Sequence, residues 1–134
     1  MHLFCAFLWP RAVIPRQCTH CRGNPYPLLF ILRKVLSEID IASQFLSDCT
    51  LEEFTADELL KRAVCMTVIN IGELVKSLSD DFRKQHTDIP WKEIAGFRDI
   101  AAHKYQTFRM DDVFETVRSE FPPLRQQLQA LLDE

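Results

Sequence analysis

Residues 55–79 read TADELLKRAVCMTVINIGELVKSLS. Leu59, Ala63, Met66, Ile69, Asn70, Leu74 and Leu78 recur at three-to-four spacing, and Val64, Val68, Ile71 and Val75 widen the same stripe. The pattern predicts one long helix over about 55–79. A helix this apolar must be covered on most sides, which places it at the centre of a bundle, on a dimer face, or both. Asn70 and Glu73 interrupt the stripe. A buried polar group left unpaired costs roughly 1–3 kcal/mol, so both need partners, in a core network or beside a functional site. Gly72 would let another helix approach closely, at a cost of about 1 kcal/mol in helix propensity.

Upstream, Leu28, Leu29, Leu32, Val35, Leu36, Ile39 and Leu46 repeat the helical period, with Arg33, Lys34, Ser37 and Glu38 on the solvated side. Thr50 with Glu53 three residues on has the form of a capping box. Residues 1–27 differ in kind. They hold four of the seven prolines and read as an irregular, poorly ordered extension before a helical domain over 28–134. Leu3 to Trp9 is apolar but has no basic residue before it, unlike a signal peptide. Cys18-Thr19-His20-Cys21 is half of a zinc site, with no second pair at finger-like spacing.

Downstream, Thr87-Asp88-Ile89-Pro90-Trp91 announces another helix, with Asp88 or Thr87 expected as its cap and Pro90 in its first turn. Asp111 is the expected N-cap of the last helical region, with Asp112 favoured by the positive helix end. Val113, Phe114, Val117, Phe121, Leu124 and Leu128 carry its stripe, and Pro122-Pro123 should kink or break it. No strand alternation, internal repeat or glycine-rich phosphate loop is evident. The expected fold is an all-α antiparallel bundle of four or five helices.

The 134 residues suit one domain, and 47% hydrophobic with 26% charged residues describes an ordinary globular chain. The net charge is −3, but Arg11, Arg16 and Arg22 lie in residues 1–27 with no acid, so the remaining 13 basic and 19 acidic residues give −6. An acidic body argues against a protein that coats nucleic acid. It leaves room for a local basic pocket built from Arg98, His103, Lys104 and Arg109. Five cysteines at scattered spacing do not form a secreted disulfide framework, which points to a reducing cytoplasm.

Chemistry concentrates in Arg98-Asp99-Ile100-Ala101-Ala102-His103-Lys104-Tyr105. A guanidinium is planar, permanently charged and able to grip phosphate with paired donors. An imidazole can move protons near neutral pH. Tyr105 adds a hydroxyl that can donate, accept or be modified. Together they suit metal-free cleavage of a phosphodiester. In a regular helix Arg98 and His103 lie about 140° apart, while Arg98 and Tyr105 nearly eclipse. Either the helix distorts near His103, or each site draws on two subunits.

The run from Ile89 to Tyr105 resembles the HepT-like toxins of the HEPN superfamily, whose hallmark is Arg, a polar residue, a short spacer, His, any residue and Tyr. Phe54–Leu59, Asn70–Glu73 and Leu78–Arg83 fit in order and spacing, and the similarity extends from about residue 28 to the C-terminus. The resemblance implies a HEPN-type bundle that dimerises through its helices. It also implies a metal-independent endoribonuclease without a cofactor, using the RNA 2′-hydroxyl as nucleophile. Arg98 and His103 would be catalytic, with Asp99 orienting them at a position where Asn is common. Asn70, Glu73 and Lys104 would support the site from behind. Tyr105 would accept AMP from an MntA-type nucleotidyltransferase antitoxin, which would exclude RNA from the cleft. The alternative is an inactive HEPN module that docks the nucleotidyltransferase. A purely structural helical dimer is the third reading.

Overall fold

The computed structural model describes residues 26–134. Every regular element among them is helical. The extension and its Cys18/Cys21 pair lie outside the described residues, apart from Tyr26 and Pro27. None of the described helices is long and apolar enough to cross a membrane.

The first helix, α1 (Leu28–Phe45), follows Pro27, whose carbonyl accepts from Phe30 and Ile31. Its buried face is Ile31, Leu32, Val35, Leu36, Ile39 and Ala42. The capping box is formed: Thr50 Oγ1 accepts from the Glu53 N–H at 3.2 Å, and Glu53 Oε2 accepts from the Thr50 N–H at 2.8 Å. It opens a short helix, α2 (Leu51–Ala56).

The expected continuous helix over 55–79 is divided. Asp57 is extended, and its carboxylate caps the Leu60 N–H at 3.0 Å, so a new helix, α3 (Glu58–Lys76), begins there. An aspartate competes for backbone donors and is better placed at a helix start than inside one. The core face of α3 is Val64, Val68, Ile71 and Val75, whereas Leu59 and Met66 are 81% and 56% exposed. The valine-rich flank, rather than the stripe through Leu59 and Met66, meets the neighbouring helices.

Ser79 caps a short helix, α4 (Asp80–Gln85), which apolar periodicity alone does not announce. The next, α5 (Trp91–His103), takes Pro90 as its N-cap without a side-chain cap, so neither Thr87 nor Asp88 serves. Trp91 instead anchors that end, its indole N–H donating to the His86 carbonyl at 2.8 Å. After a single 3-10 turn, Tyr105–Thr107, α6 (Met110–Glu115) starts from Arg109. Asp111 is therefore in the first turn and is not the cap. Pro122 and Pro123 do not break the final segment. They lie in the first turn of α7 (Phe121–Asp133), preceded by a π turn over Thr116–Glu120. That wider turn takes up the mismatch left by two residues without N–H donors.

Helix α3 is the centre of the bundle, packed on α1 and on α5, while α7 lies against α1. Phe54, Leu32, Ile39, Leu46, Ile71 and Leu128 are among the fully buried side chains. Each contributes about 1.5–3 kcal/mol by leaving water. Because α3 and α5 are held together by this core, the polar residues along their seam have fixed partners.

Candidate functional site

The seam is tightest at Gly72. A Cβ there would stand 2.1 Å from Arg98 Cβ and 2.6 Å from its Cγ. The stem of Arg98 thus lies directly across the α3 backbone, and the close approach expected at Gly72 is made against this side chain.

Arg98 is 20% exposed, with its guanidinium between two carboxylates. Glu73 Oε1 is 2.6 Å from Nε. That Nε is sealed from solvent and its N–H is not aligned on the oxygen, so the contact is an ion pair rather than a well-formed hydrogen bond. On the other side, Nη1 donates to Asp99 Oδ1 at 3.0 Å. The same oxygen accepts from Lys76 Nζ at 2.5 Å. The hydrogen bond from Lys76, then that from Arg98, holds the Asp99 carboxyl below its ordinary pKa. Four charges on two helices form one chain: Glu73, Arg98, Asp99, Lys76.

The 140° separation of Arg98 and His103 takes a different meaning once side chains are placed. Helix α5 stays regular through His103, its last residue. Arg98 is long enough for its guanidinium to reach round to Asp99. Asp99 and His103 are four residues apart, on one helix face with Cβ atoms about 5–6 Å apart. The imidazole is exposed and makes no hydrogen bond or ion pair to a described residue. One protomer therefore carries the Arg98–Asp99 pair one helical turn before an exposed imidazole, without distortion of the helix.

Tyr105 opens the 3-10 turn just beyond. Its hydroxyl is sealed from solvent and has no hydrogen-bond partner, while Arg62 of α3 stacks 5.1 Å from its ring centroid. Lys104 is exposed at the end of α5. Asn70 is half-buried on α3 and stands outside the charge chain. Arg109, expected in a shared basic pocket, is exposed and faces Asp111 at 3.8 Å.

Sequence reasoning missed Lys76, which meets Asp99 across 23 positions. The available signal was its place three residues after Glu73, on the same face of a helix whose glycine invites contact.

Among the described residues, the main cavity and the thiols do not suit an anionic substrate. A cavity of about 300 Å³ between α3, α5 and α7 is walled by Val68, Ile71, Phe97, Phe121 and Leu124. The charged residues lining it are Glu93 and Glu120, the wrong sign for phosphate. No cluster of metal-ligating side chains occurs among the described residues. Cys65 is buried, which pushes its thiol up to about 11, and Cys49 is raised by the same cause. Thiols so raised are poor nucleophiles.

A family model described as ribonuclease HepT-like matches residues 35–131. A protein of Caldanaerobacter subterraneus subsp. tengcongensis, whose name proposes an RNase, is 36% identical over 101 residues, covering 75% of this chain and 90% of that one. One of the Methanocaldococcus jannaschii relatives, similarly named, is 34% identical over 101 residues, covering 75% and 87%. A Thermococcus cleftensis protein, whose name proposes ribonuclease HepT, is 29% identical over 100 residues, covering 75% and 91%. No solved structure matches the chain at a significant level.

Proposed function

The chain belongs to the HepT-like ribonuclease family, and from that premise we propose that it is a metal-independent endoribonuclease acting as the toxin of a HEPN and nucleotidyltransferase pair. The observation that supports the reading is the Arg98 guanidinium bonded to Asp99, one helical turn before the exposed His103. In the reaction, His103 removes the proton of the RNA 2′-hydroxyl. The freed oxygen attacks the adjacent phosphorus, the bond to the 5′-oxygen breaks, that oxygen takes a proton from water, and a 2′,3′-cyclic phosphate remains. General base catalysis of this kind contributes about 10²- to 10⁴-fold. Arg98 holds the phosphate and stabilises the charge that accumulates on it. Single-stranded RNA should be cut in EDTA, and His103→Ala should end cutting while helical content stays unchanged. Cleavage that requires added metal, or a His103 variant as active as the parent, would overturn the mechanism.

A homodimer completes this reading. Leu59 and Met66 of α3 and Ile100 of α5 are exposed apolar residues on the helices that form the seam, and a second copy would cover them. Pairing would bring two His103–Arg98 faces to one cleft.

Neutralisation would follow from transfer of AMP to Tyr105 by an MntA-type nucleotidyltransferase. Because the hydroxyl is sealed, the ring must first turn out from beneath Arg62. Added AMP would place bulk and negative charge in the cleft and exclude RNA. Incubation with such an enzyme and ATP should add AMP mass to the peptide that contains Tyr105. The alternative of an inactive docking module would be favoured if that modification occurs in a protein with no cleavage of its own.

A further inference from the structure

The convergence of two cations on one oxygen points to more than a surface ion pair. Lys76 Nζ and Arg98 Nη1 are 2.5 Å and 3.0 Å from Asp99 Oδ1, so the two nitrogens are separated by no more than the sum, 5.5 Å. Two positive groups held that close need an anion between them. Within one chain, Asp99 supplies it. A phosphodiester presents two non-bridging oxygens that could take one donor each, and charge-assisted bonds to such oxygens are the strong class. Glu73 holds Nε on the other edge of the guanidinium, so Arg98 can keep its place while Nη1 changes partner. Lys76 ends α3 and its side chain is partly exposed, which leaves it able to follow an incoming ligand.

We propose that Lys76 is the second cation of the phosphate site, and that Asp99 is a built-in counter-anion which the substrate phosphate displaces. The proposal rests on the ribonuclease reading for its ligand. It gives a physical role to the Asp99 carboxylate, which both cations share. An asparagine in place of Asp99 could still accept from both donors but would not cancel their charge. Asp99 therefore lowers affinity for RNA and holds the two cations in register.

The test is binding of a single-stranded 2′-O-methyl RNA oligonucleotide, which lacks the nucleophile and cannot be cut. Fluorescence anisotropy at several salt concentrations would follow the parent, Lys76→Gln, Lys76→Arg, Asp99→Asn and the double variant that combines Lys76→Gln with Asp99→Asn, each checked for unchanged helical content. Asp99→Asn should tighten binding about fivefold or more. Lys76→Gln should weaken it by a similar factor and reduce the salt slope by about 0.7, the value of one phosphate contact on a single strand. Lys76→Arg should restore both. Lys76→Gln should also weaken binding in the Asp99→Asn background. Loss of its effect there would mean that Lys76 only positions Asp99, and would refute the second-cation role. An unchanged or weakened Asp99→Asn would refute the counter-anion role. Binding by the parent that no Lys76 variant alters sinks this inference alone; absence of binding by every form sinks the ribonuclease reading with it.

Discussion

Gly72 and Arg98 are in such close contact that a methyl group on the glycine would occupy the space of the arginine Cβ, 2.1 Å away. The glycine is the point where α5 can come near enough to α3 for Glu73 and Lys76 to reach the groups of Arg98 and Asp99. Backbone spacing thus controls the electrostatics of the site.

Gly72→Ala should separate the two helices. Overpacking of this kind costs about 1–3 kcal/mol, against a propensity gain of up to ~1 kcal/mol for alanine over glycine. Gly96 is the internal control, since a Cβ there meets nothing within 4 Å. Gly96→Ala should stabilise by roughly 0.5–1 kcal/mol and leave cleavage intact. Urea unfolding of both variants, with RNA cleavage rates, checks the contrast. Equal effects from the two substitutions would contradict the close-contact account.

Glu73→Gln removes the charge that steadies Arg98 Nε and keeps the shape of the side chain. Cleavage should fall about tenfold, equivalent to ~1.4 kcal/mol in the barrier, with helical content unchanged. Steady-state kinetics on a short RNA would measure it. A variant with full activity would show that Asp99 alone suffices to aim the guanidinium.

The pH behaviour follows from Asp99. Its folded pKa lies below the ordinary value because Lys76 and Arg98 bond to the ionised form. A depressed carboxyl pKa contributes stability that is present above the unfolded value and is lost as pH falls through the folded one. Pairing should therefore survive as pH falls through about 3.9, where an unperturbed aspartate is half protonated, and fail only in stronger acid. Carbon NMR of the Asp99 carboxyl against pH would follow this, and Lys76→Gln should move the titration upward. A titration that Lys76→Gln leaves in place would dissolve the pairing as a solution feature.

Tyr105→Phe offers a separation of stability from regulation. The hydroxyl is buried without a partner, so its removal relieves a desolvation cost. The variant should be as stable as the parent, or more so by about 1 kcal/mol, while losing the AMP acceptor. Thermal unfolding and mass spectrometry after incubation with a nucleotidyltransferase would report the two effects. Marked destabilisation would reveal a bond that the hydroxyl makes in solution.

Leu59→Glu together with Met66→Lys places charges on the exposed face of α3. A dimer formed through that face should become monomeric, with cleavage reduced and helical content retained. Sedimentation velocity of parent and variant decides it, and a parent that is monomeric throughout removes the two-subunit cleft.

Much of this molecule was legible in order and spacing alone. The Thr50–Glu53 cap, the helical period of α1 and the Arg98–Tyr105 octet all depend on neighbours close in the chain, the range over which side chains on one segment meet. Those features survive folding with little change. The Asp57 break is local too, but it falls just before the apolar stripe begins at Leu59, where periodicity gives no warning of it. Tertiary structure decided what local spacing could not. Periodicity groups Val64, Val68, Ile71 and Val75 on α3, and Leu59 with Met66 beside them, but it does not state which flank meets α1 and α5; packing chose the valines. Nor does it place Lys76 against Asp99, because that encounter requires two helices to be brought together at a glycine. Patterns within a segment follow from covalent geometry, whereas pairing between segments follows from how whole surfaces fit. The chemistry of the octet belongs to the first kind, and the charge chain that aims it belongs to the second.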